Sequence, residues 1–372
     1  MGEKLISIKK DMMYEEIALQ KFNNLVANHK NKDILILGIE SSCDETSIAV
    51  VKNGREVLSN VIASQIEIHK RFGGVVPEVA SRNHLMAIDN VLSEALEKAN
   101  VTLKDIDAIA VTYGAGLMGA LMVGVTYAKS LAFALGLPLI KVNHIKGHIS
   151  ANYIATPQLE PPYIALIVSG GHTAIVKVAD YVNNELIGST VDDAVGEAYD
   201  KVAKVLGLGY PGGPIIDKMA KQGVADVKFI KHDALKNSFN FSYSGLKTAV
   251  INYLHNLEQH GKTPNIENVC ASFQTEAVGF LVEKSIKACK KNKCKTLAVA
   301  GGVAANSYLR QELTKAGEQN GIKVLFPPMV LCTDNAAMIA AEGYFSLISG
   351  AGLADTSLTA TPNLNLKYVV KK

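Results

Sequence analysis

The sequence predicts an α/β protein of two lobes built to one plan, and three observations carry that prediction. A chain of 372 residues is too long for one ordinary core, so about two domains are expected. Hydrophobic residues make up 48% and charged residues 20%, the balance of a well-buried α/β chain. One pattern also occurs twice: an apolar run, a turn of small and polar residues, and a second apolar run. It reads DILILGIESSCDETSIAVV at residues 33–51 and YIALIVSGGHTAIVKV at residues 163–178, about 130 residues later.

The second copy is the centre of the chain. Residues 164–168 are apolar without a break, which suits a strand covered on both faces. Ser169, Gly170, Gly171 and His172 follow, then a β-rich run over residues 173–178. Two runs joined by Gly-Gly read as a hairpin, because glycine tolerates positive φ. A turn without side chains turns its N–H groups outward, where they can hold an anion such as a phosphate. A plain buried hairpin is the other reading. The turn of the first copy is acidic, with Glu40, Asp44 and Glu45. Acids there are ordinary solvated turn formers, or they hold a cation or orient a reacting group.

Between the copies, residues 55–61 read as a strand, residues 73–78 as a turn, residues 78–100 as a helix and residues 107–112 as a buried strand. The segment Gly114-Ala115-Gly116-Leu117-Met118-Gly119 is a literal G-x-G-x-x-G between strand and helix, the context of a dinucleotide fold. That reading needs an acid at the end of the next strand. The strand at residues 139–142 ends in Asn143-His144, so the reading is disfavoured. Residues 117–135 are apolar enough to prompt a membrane check. Lys129 and several small residues favour a helix packed on a sheet.

His144 and His148 are four apart, on one face of a helix, and suit two ligands of one metal ion. Two partly exposed helix histidines remain the alternative. Ile145 stands where a zincin protease needs its glutamate, which disfavours that class. Thr156-Pro157 and Pro161-Pro162 read as a linker.

Beyond the central hairpin, residues 192–208 read as a helix, with Asp193, Glu197 and Asp200 along a second face. Tyr210-Pro211-Gly212-Gly213-Pro214 reads as a rigid loop of bare backbone, and residues 239–249 as a turn opening a helix. A strand at residues 296–300 runs into Gly301-Gly302 and then Asn306, again offering N–H groups to a polar ligand. After a strand at residues 323–326, Cys332-Thr333-Asp334-Asn335 opens a last helix. Asp334 caps that helix or completes the two-histidine site; spacing does not decide between them. No G-x-x-x-x-G-K-[ST] occurs, so this is not a P-loop protein.

The formal charge of +3 permits nucleic-acid contact without arguing for it. Five scattered cysteines suit reduced thiols, and residues 289–294, CKKNKC, lack zinc-knuckle spacing. Residues 1–33 carry no continuous apolar stretch and read as an appended helical or disordered segment.

The segments GIESSCDETSIAVV, GGVVPEVASRNH, GAGLMGALMVG, NHIKGH, VSGGHT, DDAVGEAYDKVAKVLGLGYPGGP, FSYSGLK, AGGVAAN and CTDNAAMIA occur in collinear order between about residues 34 and 345. Together they resemble the bacterial or organellar branch of the TsaD family of tRNA N6-adenosine threonylcarbamoyltransferases. The resemblance implies an actin/sugar-kinase/Hsp70 (ASKHA) fold with two RNase H-like lobes around a nucleotide cleft. Residues 34–150 would form the first lobe, completed by C-terminal helices over residues 335–372; residues 151–334 would form the second.

It also implies transfer of a threonylcarbamoyl group from threonylcarbamoyl-adenylate to the exocyclic amine of adenosine 37, in tRNAs reading codons that begin with A. His144, His148 and Asp334 would hold one divalent metal ion, Fe2+ first and Zn2+ second. Ile167, Val168, Ser169, Gly170, Gly171, Asp200, Gly213, Asp217 and Asn306 would line the site of threonylcarbamoyl-AMP, or of ATP or ADP. Asp44 and Glu45 are the expected catalytic carboxylates, orienting the amine or taking its proton.

Expected partners are tRNA, a TsaB-like paralogue and a TsaE-like ATPase, with a homodimer also open, in the cytoplasm and with no membrane. Lys70, Arg71, Arg82 and Lys247 are candidate tRNA contacts. Lys146 stands where bacterial relatives often carry an acid, and residues 1–33 lie outside the usual pattern. A non-catalytic scaffold of the same fold, or an ATPase or sugar kinase of that fold, are the rival readings; retention of the two histidines and Asp334 speaks against a scaffold.

Overall fold

A computed structural model describes residues 2–229 and 235–364, with side chains from Met13 onward. The chain opens with a long helix, α1 (Gly2–Asn28), and enters its first sheet through β1 (Leu35–Glu40), β2 (Glu45–Lys52) and β3 (Glu56–Ser64). A short α2 (Ile66–His69) leads to α3 (Pro77–Ala99), β4 (Ala108–Gly114), α4 (Met118–Leu135), β5 (Leu139–Asn143) and α5 (His144–Ala155). The second sheet begins with β6 (Tyr163–Val168), β7 (Thr173–Val178) and β8 (Asn184–Ser189). Four helices follow: α6 (Val195–Val205), α7 (Gly212–Ala220), α8 (Ser244–Gln259) and α9 (Ile266–Lys291). The chain continues through β9 (Thr296–Ala300), α10 (Ser307–Asn320), β10 (Lys323–Leu325), α11 (Met329–Cys332), α12 (Ala336–Ile348) and β11 (Leu353–Ala354).

The two sheets share one topology. In the first, β3, β2 and β1 form an antiparallel meander, and β4 and β5 extend it in parallel beside β1. In the second, β8, β7 and β6 repeat the meander, with β9 and β10 parallel beside β6. The twofold strand–turn–strand pattern of the sequence is therefore the core hairpin of each sheet. β1 and β6 are central strands buried on both faces, as their unbroken apolar runs require.

The element bounds depart from expectation where tertiary pairing or capping decides. β3 runs on to Ser64 because β2 offers partners as far as Glu45. The helix expected from residue 78 starts at Pro77, whose fixed φ suits a first helical position. The helix expected over residues 192–208 shrinks to α6, since Asp192 instead accepts the N–H groups of Tyr243 and Ser244 ahead of α8. Where C-terminal helices are expected over residues 335–372, the described residues hold one, α12. After α12 the chain turns at Gly350 and Gly352, both at positive φ, and β11 adds antiparallel to β5. Residues 365–372 lie outside the described residues.

Residues 2–28 form a helix, the first of the two options. It is an integral element: Tyr14, Ala18, Phe22 and Leu25 are buried, and the Tyr14 hydroxyl donates to the Leu137 carbonyl at 3.0 Å. α4 is long and apolar enough to cross a membrane, yet it packs on α3 and β4. α12 lies directly against β1. A Cβ at Gly38 would sit 2.3 Å from the Ala336 carbonyl oxygen, so a side chain there would force helix and strand apart.

Candidate active site and metal centre

A cavity of about 610 Å³ lies where the two hairpin turns face each other. Ser42, Cys43, Asp44 and Glu45 contribute from the β1–β2 turn, and Ser169, Gly170, Gly171 and His172 from the β6–β7 turn. His144, Asp200, Gly213, Asp217, Asn306 and Asp334 of the expected set also line it, whereas His148 is buried and does not. The wall of the glycine turn starts at Ser169. The side chains of Ile167 and Val168 are fully buried on opposite faces of β6, each in a different core, so they offer a ligand only backbone.

The metal-type group assembles at the N-terminal ends of two helices. His144 opens α5, with the Asn143 side chain accepting from the N–H groups of Ile145 and Lys146. His148 follows one turn later, and the two rings meet edge to face with centroids 4.7 Å apart. Asp334 reaches both: its Oδ1 is 3.4 Å from His144 Nε2 and 3.2 Å from His148 Nε2. The capping alternative for Asp334 fails because its neighbour Asn335 takes that role, accepting from the Met338 N–H of α12. The carboxylate is left facing the imidazoles.

The three donor atoms lie within 4.8 Å of one another, a group compatible with a single metal ion. His148 adds a further sign: both of its ring nitrogens are buried, and among the described residues Nδ1 meets no hydrogen-bond partner while Nε2 faces the Asp334 carboxylate at 3.2 Å. Two imidazoles and one carboxylate suit iron or zinc and leave positions open. Burial alone would raise the Asp334 carboxyl, but His144 and His148 outweigh it and hold it well below the usual carboxylate range. Burial works against a charged His144, yet Asp334 and Glu40 together raise its pKa.

Behind His144 sits Glu40, the last residue of β1 and fully buried. Its Oε2 is 3.1 Å from His144 Nδ1 and accepts from Thr112 Oγ1 at 2.5 Å, while its Oε1 accepts the Ser42 N–H at 2.5 Å. The three acids of this turn thus part company: Glu40 points inward to the histidine, and Asp44 and Glu45 face the cavity. Burial, then the negative charges of Asp334 and Asp44, pushes the Glu45 carboxyl up to about 9. Ser64 donates to Glu45 Oε1 at 3.2 Å.

The glycine turn closes with the Ser169 N–H donating to the His172 carbonyl at 2.8 Å. Positive φ was the expected reason for its glycines, and it is not the reason found: neither Gly170 nor Gly171 adopts it. A Cβ on either would meet nothing within 4 Å, so both are bare toward open cavity. Across from them, Asp200 Oδ1 accepts the Gly212 N–H at 2.7 Å, and burial raises its carboxyl despite that bond and one from Gly213. The acidic stripe of α6 therefore splits, because Asp193 and Glu197 both pair with Lys201 at 2.7 Å. Asp217 accepts Ser307 Oγ at 2.9 Å, and Asn306 caps α10 while donating to Gln274 Oε1 at 2.8 Å.

The G-x-G-x-x-G segment finds a packing explanation. A Cβ at Gly114 would meet the Thr361 carbonyl oxygen at 2.2 Å, and one at Gly116 the Ser42 carbonyl oxygen at 2.6 Å. These glycines let other parts of the chain approach. Sequence reasoning gave no role to His172, Tyr210, Lys218 or Lys221, which also line the cavity. His172 directly follows the glycine pair, the one signal that marked it. Burial, then the neighbouring His144 and His148, pushes its imidazole down to about 4, so it is neutral. Of the candidate tRNA contacts, Lys70 pairs with Glu67, Arg82 with Glu78 and Lys247 with Asp193.

Two sheets of one topology, facing turns and a cavity between them define a protein of the actin/sugar-kinase/Hsp70 class. Solved structures agree on the fold. The chain is similar to HypF in its phosphate- and nucleotide-bound form, with a TM-score of 0.58 and 16% identity, covering 85% of this chain and 46% of that one. It is similar to HypF of T. kodakarensis at a TM-score of 0.60 and 15% identity, covering 88% and 49%. Within that class, the profile of TsaD, tRNA N6-adenosine threonylcarbamoyltransferase, matches residues 56–341. A relative of that name from Clostridium perfringens (strain ATCC 13124) is 59% identical over 333 residues, 89% of this chain and 98% of the relative. Another from Clostridium botulinum (strain Kyoto) is 57% identical over 336 residues, 90% and 98%. The chain belongs to the TsaD family.

Proposed function

We propose that this protein is an acyltransferase that moves the threonylcarbamoyl group of threonylcarbamoyl-AMP to the N6 amine of adenosine 37, in tRNAs reading codons that begin with A. The observation that carries the reading is the shared cavity, lined by a bare glycine turn and by His144 and Asp334 of the His-His-Asp group. The glycine turn suits the adenylate phosphate, and Asp200, Gly213, Asp217 and Asn306 suit the ribose and adenine edges. His144, His148 and Asp334 would hold one divalent ion, Fe2+ before Zn2+. Bound there, it supplies Lewis-acid polarisation and a template for the threonylcarbamoyl oxygens.

The chain's own groups do the rest. N–H groups of Gly170 and Gly171 take charge from the leaving phosphate. The amine nitrogen bonds to the carbamoyl carbon, the bond from that carbon to the phosphate oxygen breaks, and AMP leaves with the electron pair. The amine proton passes to Asp44. Glu45, whose carboxyl burial and the charges of Asp334 and Asp44 push up to about 9, would hold the amine or carbonyl by a hydrogen bond.

We further propose a first lobe over residues 34–150 completed by residues 335–372, a second over residues 151–334, and residues 1–33 as an extension. A TsaB-like paralogue would dock on the first lobe, where Leu85, Met86, Met118 and Met122 of α3 and α4 are exposed. A TsaE-like ATPase would join them.

Incubation with threonylcarbamoyl-AMP, tRNA and those partners, followed by mass analysis of the nucleosides, tests the activity. Threonylcarbamoyladenosine is expected. Its absence, or transfer at full rate by His144→Ala, would refute the reading or its metal site respectively.

A further inference from the structure

We propose that Glu40 is a positioning residue for the cation site, setting the tautomer of His144 so that Nε2 presents its lone pair to the ion. The inference rests on the reading of His144 as a ligand and adds a residue outside the donor set. Every acceptor direction of this carboxylate that the structure shows is taken by a donor. Ser42 N–H holds Oε1, while Thr112 Oγ1 and His144 Nδ1 share Oε2. Three contacts therefore hold Glu40 in place, and an ionised carboxylate is acceptor-only. Facing it, Nδ1 carries a ring proton; Nε2, 3.4 Å from the Asp334 carboxylate, is the nitrogen whose lone pair an ion placed between them would take. Ser42 Oγ also lies 3.1 Å from Nδ1, but a hydroxyl donates or accepts and fixes no tautomer. His148 has no such support among the described residues, where its Nδ1 makes no hydrogen bond. The pair is asymmetric: one imidazole is preset from behind and the other is not. A carboxylate behind a ligating histidine also raises the basicity of the ligand nitrogen.

The test is Co2+ binding by the full-length chain, followed by chelator competition and by the visible absorption of the bound ion. Glu40→Gln keeps the shape and reverses one contact. With its amide nitrogen toward His144, the Gln makes Nδ1 an acceptor and moves the proton to Nε2; flipped, it sets that nitrogen against the Ser42 N–H. Loss of about 10- to 100-fold in Co2+ affinity is expected, with an altered absorption band. Ser42→Ala keeps the N–H that holds Oε1 and removes only the hydroxyl beside Nδ1, so its loss should be smaller than that of Glu40→Gln. Glu40→Asp keeps the charge but draws it back from Nδ1, so a smaller loss in the same direction is expected. It stands in if Glu40→Gln fails to fold.

Wild-type affinity and spectrum in a folded Glu40→Gln or Glu40→Asp chain would overturn the inference alone. A wild-type chain that binds no Co2+ would overturn it together with the metal site. Transfer activity is not the readout, so failure of the acyltransferase reading remains separate.

Discussion

Gly170 and Gly171 allow a prediction in which stability and binding move in opposite directions. Glycine is commonly kept for positive φ or for close packing, and neither applies at these two positions. Alanine at either should fit the empty turn without strain. It should raise stability by about 0.4–1 kcal/mol, because the unfolded chain loses freedom. The new methyl nevertheless occupies the cavity surface where an anion would meet the turn's N–H groups. Losing one charge-assisted hydrogen bond costs about 1.5–3 kcal/mol, on the order of 10- to 150-fold in affinity.

Calorimetric titration with ADP measures the second effect and thermal unfolding the first. Gly196→Ala is the contrasting variant. Its Cβ would lie 2.6 Å from the Ser169 carbonyl oxygen and 2.8 Å from Gly170 Cα, so it pushes the turn itself. That variant should lose both binding and about 1–3 kcal/mol of stability. If Gly170→Ala and Gly171→Ala bind ADP as tightly as the parent, the phosphate does not sit on this turn and the reasoning is wrong.

Other outcomes follow from the same structure. His148→Ala and Asp334→Asn should each lower transfer at least ~100-fold and abolish stoichiometric metal uptake, read by elemental analysis; full uptake by either would remove it from the donor set. Glu342, fully buried on α12, accepts Ser150 Oγ at 2.7 Å and Ser346 Oγ at 3.1 Å, yet burial outweighs these bonds and nearby Lys146 and raises its carboxyl above 4.5. The folded state then holds a proton that the unfolded state gives up, so this group's cost is absent below pH 4.5 and grows as pH climbs through the raised value. Glu342→Gln should thus gain in Tm relative to the parent as pH rises above 4.5, and a gap that narrows as pH rises would contradict the assignment. Deleting residues 1–28 removes the buried Tyr14, Phe22 and Leu25 and should lower Tm by about 5 °C or more, with transfer at 25 °C changed by on the order of twofold or less. A larger loss of transfer would tie α1 to the chemistry.

Periodicity alone revealed much of the frame. The strands β1, β6 and β9 show as apolar runs because they are central and covered on both faces. The paired hairpins were visible for the same reason. Residue-level roles were harder to read, because they depend on which neighbour takes a competing job. Asp334 reads as a helix cap until Asn335 is seen capping. Asp200 belongs to an acidic stripe until Lys201 is seen to neutralise Asp193 and Glu197, leaving Asp200 for the Gly212 N–H. Glu40 looks like one of three turn acids, although strand alternation sends it inward to His144. The G-x-G-x-x-G segment misleads because tight chain crossings need glycine as much as a dinucleotide does.

The His-His-Asp group has a further consequence. All three donors stand at the starts of α5 and α12, helices packed so closely that a Cβ at Gly147 would come within 2.7 Å of Ile339 Cδ1. The glycine turn belongs to a different unit, the hairpin of the second sheet. α5 also packs on β6 and β9, and Asn152 donates to the Val299 carbonyl at 3.2 Å, so the helix that carries both imidazoles is anchored to the second sheet as well as to α12. The spacing between the imidazole pair and the glycine turn is thus set by one continuous core rather than by two bodies free to part.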